Sequence, residues 1–329
     1  GYVKIALGAT IFLLLVVAYQ FSGRRNFENE LTEKSKEIEV QKNLVESEKQ
    51  KRLSPLVNQL ITTLNNSANN DSSQIDNQSL SLIKGLNKYF TPYQYRENKT
   101  LLEKKVSPER GYLLVSLLHS NLDSASKQKI IEEVSFEGSS LSNANLSGLD
   151  LRNINLNGSD LRGADLSGTR LTGANLKGID FTNANLSNAI LDSSTLTRSN
   201  AKWAVFSGAS LEGATLDGCV WSYAIMDSAV LRGSIIRNTN LEGAILSCAD
   251  LDSAILHYDT LTGVNLSKAN FKIRKISRTL IENLTVDSTI VNTFWMRKNN
   301  PNKLVGLNLF LNQNQLIVKD NGDSLMIAR

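Results

Sequence analysis

From Phe136 onward a large apolar residue returns at every fifth position without an insertion or a deletion. Phe136, Leu141, Leu146, Leu151 and Leu156 open the series and Phe271 closes its regular part. Of these 28 positions only Ala201, Trp221, Met226 and Ile236 are neither Leu nor Phe. Two residues before each comes a small or apolar side chain, alanine in 14 of the 28 cases. A period of five fits neither the 3.6 of an amphipathic helix nor the 2 of a long flat strand. Two inward positions two residues apart suit one short extended segment, because alternate side chains share a face. A turn must follow before the next five residues begin. The position two after the large residue is Gly, Asn or Ser in most repeats (Gly148, Asn153, Gly158, Gly163), and these types tolerate turn conformations. Short sides joined by regular turns close into a coil, and stacked coils put the large residues inside. Weaker repeats continue through Ile276, Ile281, Val286 and Val291.

Runs such as Ala144-Asn145-Leu146-Ser147-Gly148 and Ala164-Asp165-Leu166-Ser167-Gly168 resemble the pentapeptide-repeat proteins, whose motif is A-(D/N)-L-x-x. The resemblance implies a mainly β fold, a right-handed quadrilateral β-helix with four pentapeptides per coil. Seven coils at the ~4.8 Å spacing of paired strands would make a rod of roughly 34 Å. Residues twenty apart should then be neighbours. One such column is an alanine ladder through Ala164, Ala184, Ala204, Ala224 and Ala244; another runs from Leu151 through Leu171 and Leu191 to Phe271. Ala201, the smallest large-position residue, falls one coil before Trp221, the largest. Close-packed interiors favour such pairing of small with large.

Five segments are expected: residues 1–22 a transmembrane helix, 23–54 a charged helical stalk, 55–133 a helical region capping the solenoid, 134–293 the β-helix, and 294–329 a C-terminal cap with a β-hairpin tail. The first rests on an uncharged run, Ile5 to Tyr19, with Ile11, Phe12, Leu13, Leu14, Leu15, Val16 and Val17 at its centre. With its flanks it is roughly 20 residues, the length that crosses a ~30 Å hydrocarbon core. A cleaved signal peptide is the competing reading, but no small-x-small cleavage pattern follows the run. Arg24-Arg25 directly after the span favours a single-pass protein of the bacterial cytoplasmic (inner) membrane with the β-helix on the cytoplasmic side. Residues 24–52 are rich in Glu, Lys and Gln, good helix formers, but their heptads are too incomplete for a coiled coil. Ser107-Pro108-Glu109 is a helix start: a capping Ser, Pro at the first position and an acid in the first turn. The helices from Ser107 to Glu133 are placed to cover the first coil. Phe294, Trp295 and Met296 are placed to cover the last, since an open solenoid edge invites aggregation.

Little in the chain points to catalysis. Two histidines (His119, His257) and two cysteines (Cys219, Cys248) leave no metal-ligand set, triad or disulfide framework, and no phosphate-binding glycine loop occurs. A non-enzymatic protein with no cofactor and no metal is expected. Asp259 sits where inward small residues belong, and a locally distorted turn explains it better than a polar site. Cys219 is inward, as a small hydrophobe. Outward, Val205, Ile225 and Ile245 form one column, with Ile235 and Ile255 read as an adjacent one. Such a β-branched stripe can mark a docking surface or simply reflect sheet propensity on a solvated face. A serine ladder (Ser147, Ser167, Ser187, Ser207, then Asp227, Ser247, Ser267) runs beside it.

The expected function is a membrane-anchored scaffold that presents a rigid rod to other membrane-complex proteins, with a homo-oligomer as a further option. The alternative comes from the resemblance: some pentapeptide-repeat proteins imitate duplex DNA, bind DNA gyrase and protect it from quinolones. That imitation needs an acidic surface. Residues 134–275 carry 12 Lys plus Arg against 13 Asp plus Glu, and 12 − 13 leaves −1. The whole chain, 36 − 32 = +4, is no more polarised, so no nucleic-acid partner is expected either.

Overall fold

The computed structural model describes residues 54–68, 74–94, 96–97, 100–101, 104–271, 275–277, 279, 289–292, 317–320 and 324–328. The expected span at 1–22, nearly all of the stalk, and Phe294, Trp295 and Met296 lie outside them. Among the described residues no helix is long and apolar enough to cross a membrane.

Among the described residues four helices precede the coils. The first, α1, is Ser54–Ala68 and buries Val57, Leu60 and Leu64 at helical spacing. Helix α2, Asn77–Tyr89, starts at Asp76, whose carboxylate accepts the Ser79 N–H at 2.6 Å. Residues Tyr93–Lys105 fall outside the compact unit formed by Leu53–Pro92 and Val106–Arg329; within them β1 (Arg96–Glu97) and β2 (Thr100–Leu101) pair antiparallel. Helix α3, Pro108–Leu118, is capped as its sequence requires: the Ser107 hydroxyl accepts the Arg110 N–H at 3.1 Å. His119 ends α3 with its ring Nδ1 2.8 Å from the Val115 carbonyl, a structural place. Helix α4, Ser124–Glu133, leads directly into the first coil.

The coils have the expected pitch. Isolated parallel bridges pair Ser140 with Asp160, Asn145 with Asp165, Asp150 with Arg170 and Asn155 with Asn175, every partner twenty residues on. Four pentapeptides therefore make one turn of a β-helix. Each corner is a β-turn: the Ala144 N–H returns to the Leu141 carbonyl at 3.1 Å, and the residue before the returning one is left-handed, as at Asn143 (φ 57°) and Gly148 (φ 66°). From residue 215 one side changes. Single bridges there become three-residue strands, β3 (Thr215–Asp217), β4 (Ile235–Arg237) and β5 (Ile255–His257), stacked in parallel. Strand β6 (Asn270–Phe271) ends the regular series, and β7 (Lys275–Ser277) pairs with β5. In the tail, β8 (Thr289–Asn292) pairs parallel with β6, and β9 (Ile317–Asp320) and β10 (Ser324–Ala328) pair antiparallel.

One continuous apolar core runs from the helices into the coils. Trp221 is fully buried, stacks on Phe206 at 4.6 Å and donates from Nε1 to the Ser199 hydroxyl at 2.9 Å. Its indole thus reaches back into the coil of Ala201, the arrangement that the volume pairing predicts. Among the described residues, the space enclosed by the large side chains from Leu216 to Phe271 is about 10 Å³, too little for a ligand.

The first coil is covered by hydrogen bonds as well as by apolar contact. The Ser107 N–H donates to the Gly138 carbonyl at 2.6 Å, and the Ser140 N–H returns to the Ser107 carbonyl at 3.0 Å. One residue of the cap therefore pairs with the open edge, which a bare coil would leave unsatisfied.

Candidate functional site

Residue number modulo twenty assigns each side chain to a side or a corner. Val205, Ile225 and Ile245 do form one outward column, bridged in series. Val205 and Ile225 are half-buried and Ile245 is 38% exposed. Ile235 and Ile255 belong to β4 and β5, ten residues away from that column in either direction. In a coil of four sides, ten residues is two sides, so the two stripes are on opposite sides and not adjacent. The candidate face is smaller than the sequence reading made it, and Ile235 and Ile255 are not part of it.

What completes the face is a corner that the sequence reading missed. The turn preceding the Val205 column is occupied, coil by coil, by Asn143, Gly163, Asn183, Trp203, Tyr223, Gly243 and Gly263. All are left-handed, including Trp203 at φ 59° and Tyr223 at φ 60°. Asn and Gly enter this region at small cost, whereas bulky side chains cost roughly 1–2 kcal/mol each. Here the two aromatic rings lie in series along the corner. Trp203 stacks on Tyr223 with centroids 6.4 Å apart and planes 21° from parallel. The Tyr223 ring continues over Gly243, where a β-carbon would stand 2.5 Å from the ring. Lys202 places its ammonium 4.0 Å over the Trp203 ring. Trp203 is 50% exposed and Tyr223 45%, and Val220 on the preceding side is 44% exposed. Strained aromatics held open to solvent are a more specific signal than a β-branched stripe. The trace of them in the sequence is two aromatic residues twenty apart at a turn position.

Along the coils the polar columns satisfy themselves. Asn175 donates to Asn155 at 3.0 Å and Asn185 to Asp165 at 3.1 Å, coil to coil. Ser147 and Ser187 close onto Asn145 and Asn185 two residues back, whereas Ser207 reaches along the stack to Asp227. The serine ladder is thus mostly a set of local turns.

Asp259 is buried at 1% exposure, and both its oxygens are used. One accepts the Thr239 N–H at 2.9 Å and the other the His257 N–H at 2.6 Å. A standard corner would return the Thr239 amide to the carbonyl three residues back; on the altered side a carboxylate takes it instead. Burial pushes the Asp259 carboxyl up to about 7, against the pull of the two amides and with some help from Asp217. An acid whose pKa is raised on folding binds a proton that the unfolded chain, near 3.8, has already released. Stability should therefore fall as pH rises from about 4 to 7, by up to about 4 kcal/mol, and then level off. Melting curves of wild type and Asp259→Asn at pH 4.5 and 7.5 check this, since the variant should lose most of that decline. Burial also raises the Cys219 pKa, which keeps it the inert small residue expected, while Cys248 is exposed. Among the described residues no cluster of His, Cys, Asp or Glu could hold a metal.

The family model for pentapeptide repeats matches this chain in eight copies, over residues 131–158, 139–178, 159–198, 179–220 and 224–257. No curated protein sequence matches it. Similar solved structures include a pentapeptide repeat protein from the cyanobacterium Cyanothece 51142, 27% identical over 30% of this chain and 62% of that one, with a TM-score of 0.20. A pentapeptide repeat protein of the Arabidopsis thaliana thylakoid lumen is 26% identical over 39% of this chain and 71% of that one, TM-score 0.23. QnrB1, a plasmid-mediated fluoroquinolone resistance protein, is 19% identical over 45% of this chain and 91% of its own, TM-score 0.27. The chain thus spans less than two-thirds of the Cyanothece protein, and superpositions this partial transfer no role.

Proposed function

Residues 131–220 and 224–257 being pentapeptide repeats, we propose that this chain is a non-enzymatic scaffold, anchored in a membrane by residues 1–22, that binds another protein of a membrane complex. The observation that carries the binding role is the exposed corner of Trp203 and Tyr223 with Val220 before it and Val205, Ile225 and Ile245 after it. A rigid coil offers such a surface without ordering cost, which leaves more of the contact energy for affinity. The span supplies location and the charged segment supplies reach. The near balance of charge along the coils speaks against DNA imitation, and no feature of the corner favours gyrase.

Mild detergent extraction and affinity purification of the full chain tests the reading. A stoichiometric membrane-protein partner should copurify and should be lost from the Ile225→Glu/Ile245→Glu variant. Glutamate at Ile235, on the opposite side, should leave recovery unchanged. Recovery of an unaccompanied chain, or equal recovery from all three proteins, would sink the proposal.

A further inference from the structure

A second polar feature lies far from the aromatic corner, where the helices meet the first coil. A cleft of about 250 Å³ is lined by Lys84, Asn87 and Lys88 of α2, Arg110 of α3, Glu133 of α4, and the segment Val134, Ser135 and Glu137. Arg110 is only 7% exposed, yet its guanidinium has no carboxylate within ion-pairing distance among the described residues. It donates instead to two main-chain carbonyls, those of Glu137 and of Asn87, the latter at 3.2 Å. Its Nε has no acceptor, and Oδ1 of the neighbouring Asn87 has no donor. A buried cation served by carbonyl dipoles alone is under-compensated. Burial accordingly lowers the Arg110 pKa, with Glu137 as the charge that acts against it.

The rest of the cleft does not correct the imbalance. Lys84 is held by Glu133 at 2.6 Å. Lys88, one helical turn on from Lys84, lines the same cleft with no bonded partner among the described residues. Three cations against two carboxylates leave 3 − 2 = +1, and the lining is polar. We propose that this cleft is a binding site for a small oxyanion, a phosphate or a carboxylate, taken between Lys88 and Arg110. The volume suits a free ion or a small acidic metabolite and is too small for a folded partner. A bound oxyanion would tie α2, α3 and the first coil together through charge-assisted hydrogen bonds.

The full chain in detergent micelles would be titrated by calorimetry and by thermal melting with sodium phosphate, sodium malonate, and sodium chloride at matched ionic strength. One oxyanion at least should bind saturably and raise the melting temperature beyond the chloride control, the phosphate and malonate arms showing which chemistry the site takes. Lys88→Gln, a change at an exposed position, should weaken binding about tenfold, whereas Lys177→Gln, away from the cleft, should not. If neither anion acts beyond chloride, or if Lys88→Gln binds as wild type does, the site does not exist. Arg110→Gln should abolish binding, and Lys88→Gln keeps the test decisive if that variant fails to fold.

Discussion

Alanine at Gly111 should detach the helical cap from the first coil. A β-carbon there would stand 1.9 Å from the Ser140 carbonyl oxygen and 2.9 Å from its carbon. Both are main-chain atoms that Ser107 holds in place through its bonds to Gly138 and Ser140. No rotamer relieves that overlap, so α3 must lift away and the Ser107 pairing must break. The expected loss is about 2–4 kcal/mol, at the upper end of overpacking effects. Hydrogen exchange separates this from general loosening. Amides of α3, α4 and residues 138–146 should lose protection in Gly111→Ala while those near residues 200–250 keep theirs, because solenoid coils contact mainly their neighbours. The uncovered edge should also make the variant aggregate sooner. An unchanged melting temperature would mean that the cap does not bear on the coil in this way.

The second large effect is expected at Trp221. Removing the indole takes away a fully buried side chain, its stack on Phe206 and its hydrogen bond to the Ser199 hydroxyl. Ala201 in the coil below has no bulk to fill the space, so Trp221→Ala should cost about 3–5 kcal/mol in a denaturant titration. The pairing of the two positions makes a sharper claim. Ala201→Leu should destabilise the wild type by crowding the indole, yet recover part of the loss in the Trp221→Ala background. Additive effects of the two substitutions would contradict the shared packing.

Much of this architecture is legible in the residues because the repeat is strict. Twenty-residue pairing follows from one ladder of alanines and one of leucines, and Ser107-Pro108-Glu109 announces α3 by local chemistry alone. The candidate face was only half legible. Ile235 and Ile255 look like companions of Ile225 and Ile245 in a linear text, but ten residues along a four-sided coil is the far side. Trp203 and Tyr223 escaped because turn positions are read for what the backbone needs, and there Asn or Gly is the rule; an aromatic at such a place is informative only once its left-handed φ and its neighbour twenty residues on are seen together. Asp259 could be placed inward from the sequence. That its oxygens serve the amides of Thr239 and His257 depended on the change of turn along one side, which no local pattern signals. The Arg110 cleft is built from three helices and the first coil, and nothing in the spacing of Lys84, Lys88, Arg110 and Glu133 brings them together.

The claim at the centre of this account is that one corner of the coil, and not its opposite side, holds a protein partner. Site-specific photocrosslinking tests it most directly. A photoreactive residue would be placed at Ile225 in one version of the full-length chain and at Ile235 in another, with both irradiated in the native membrane. The account predicts a discrete crosslinked product from position 225 that disappears when Trp203 and Tyr223 are replaced by serine, and none from position 235. Equal products from both positions, or none from either, would contradict it.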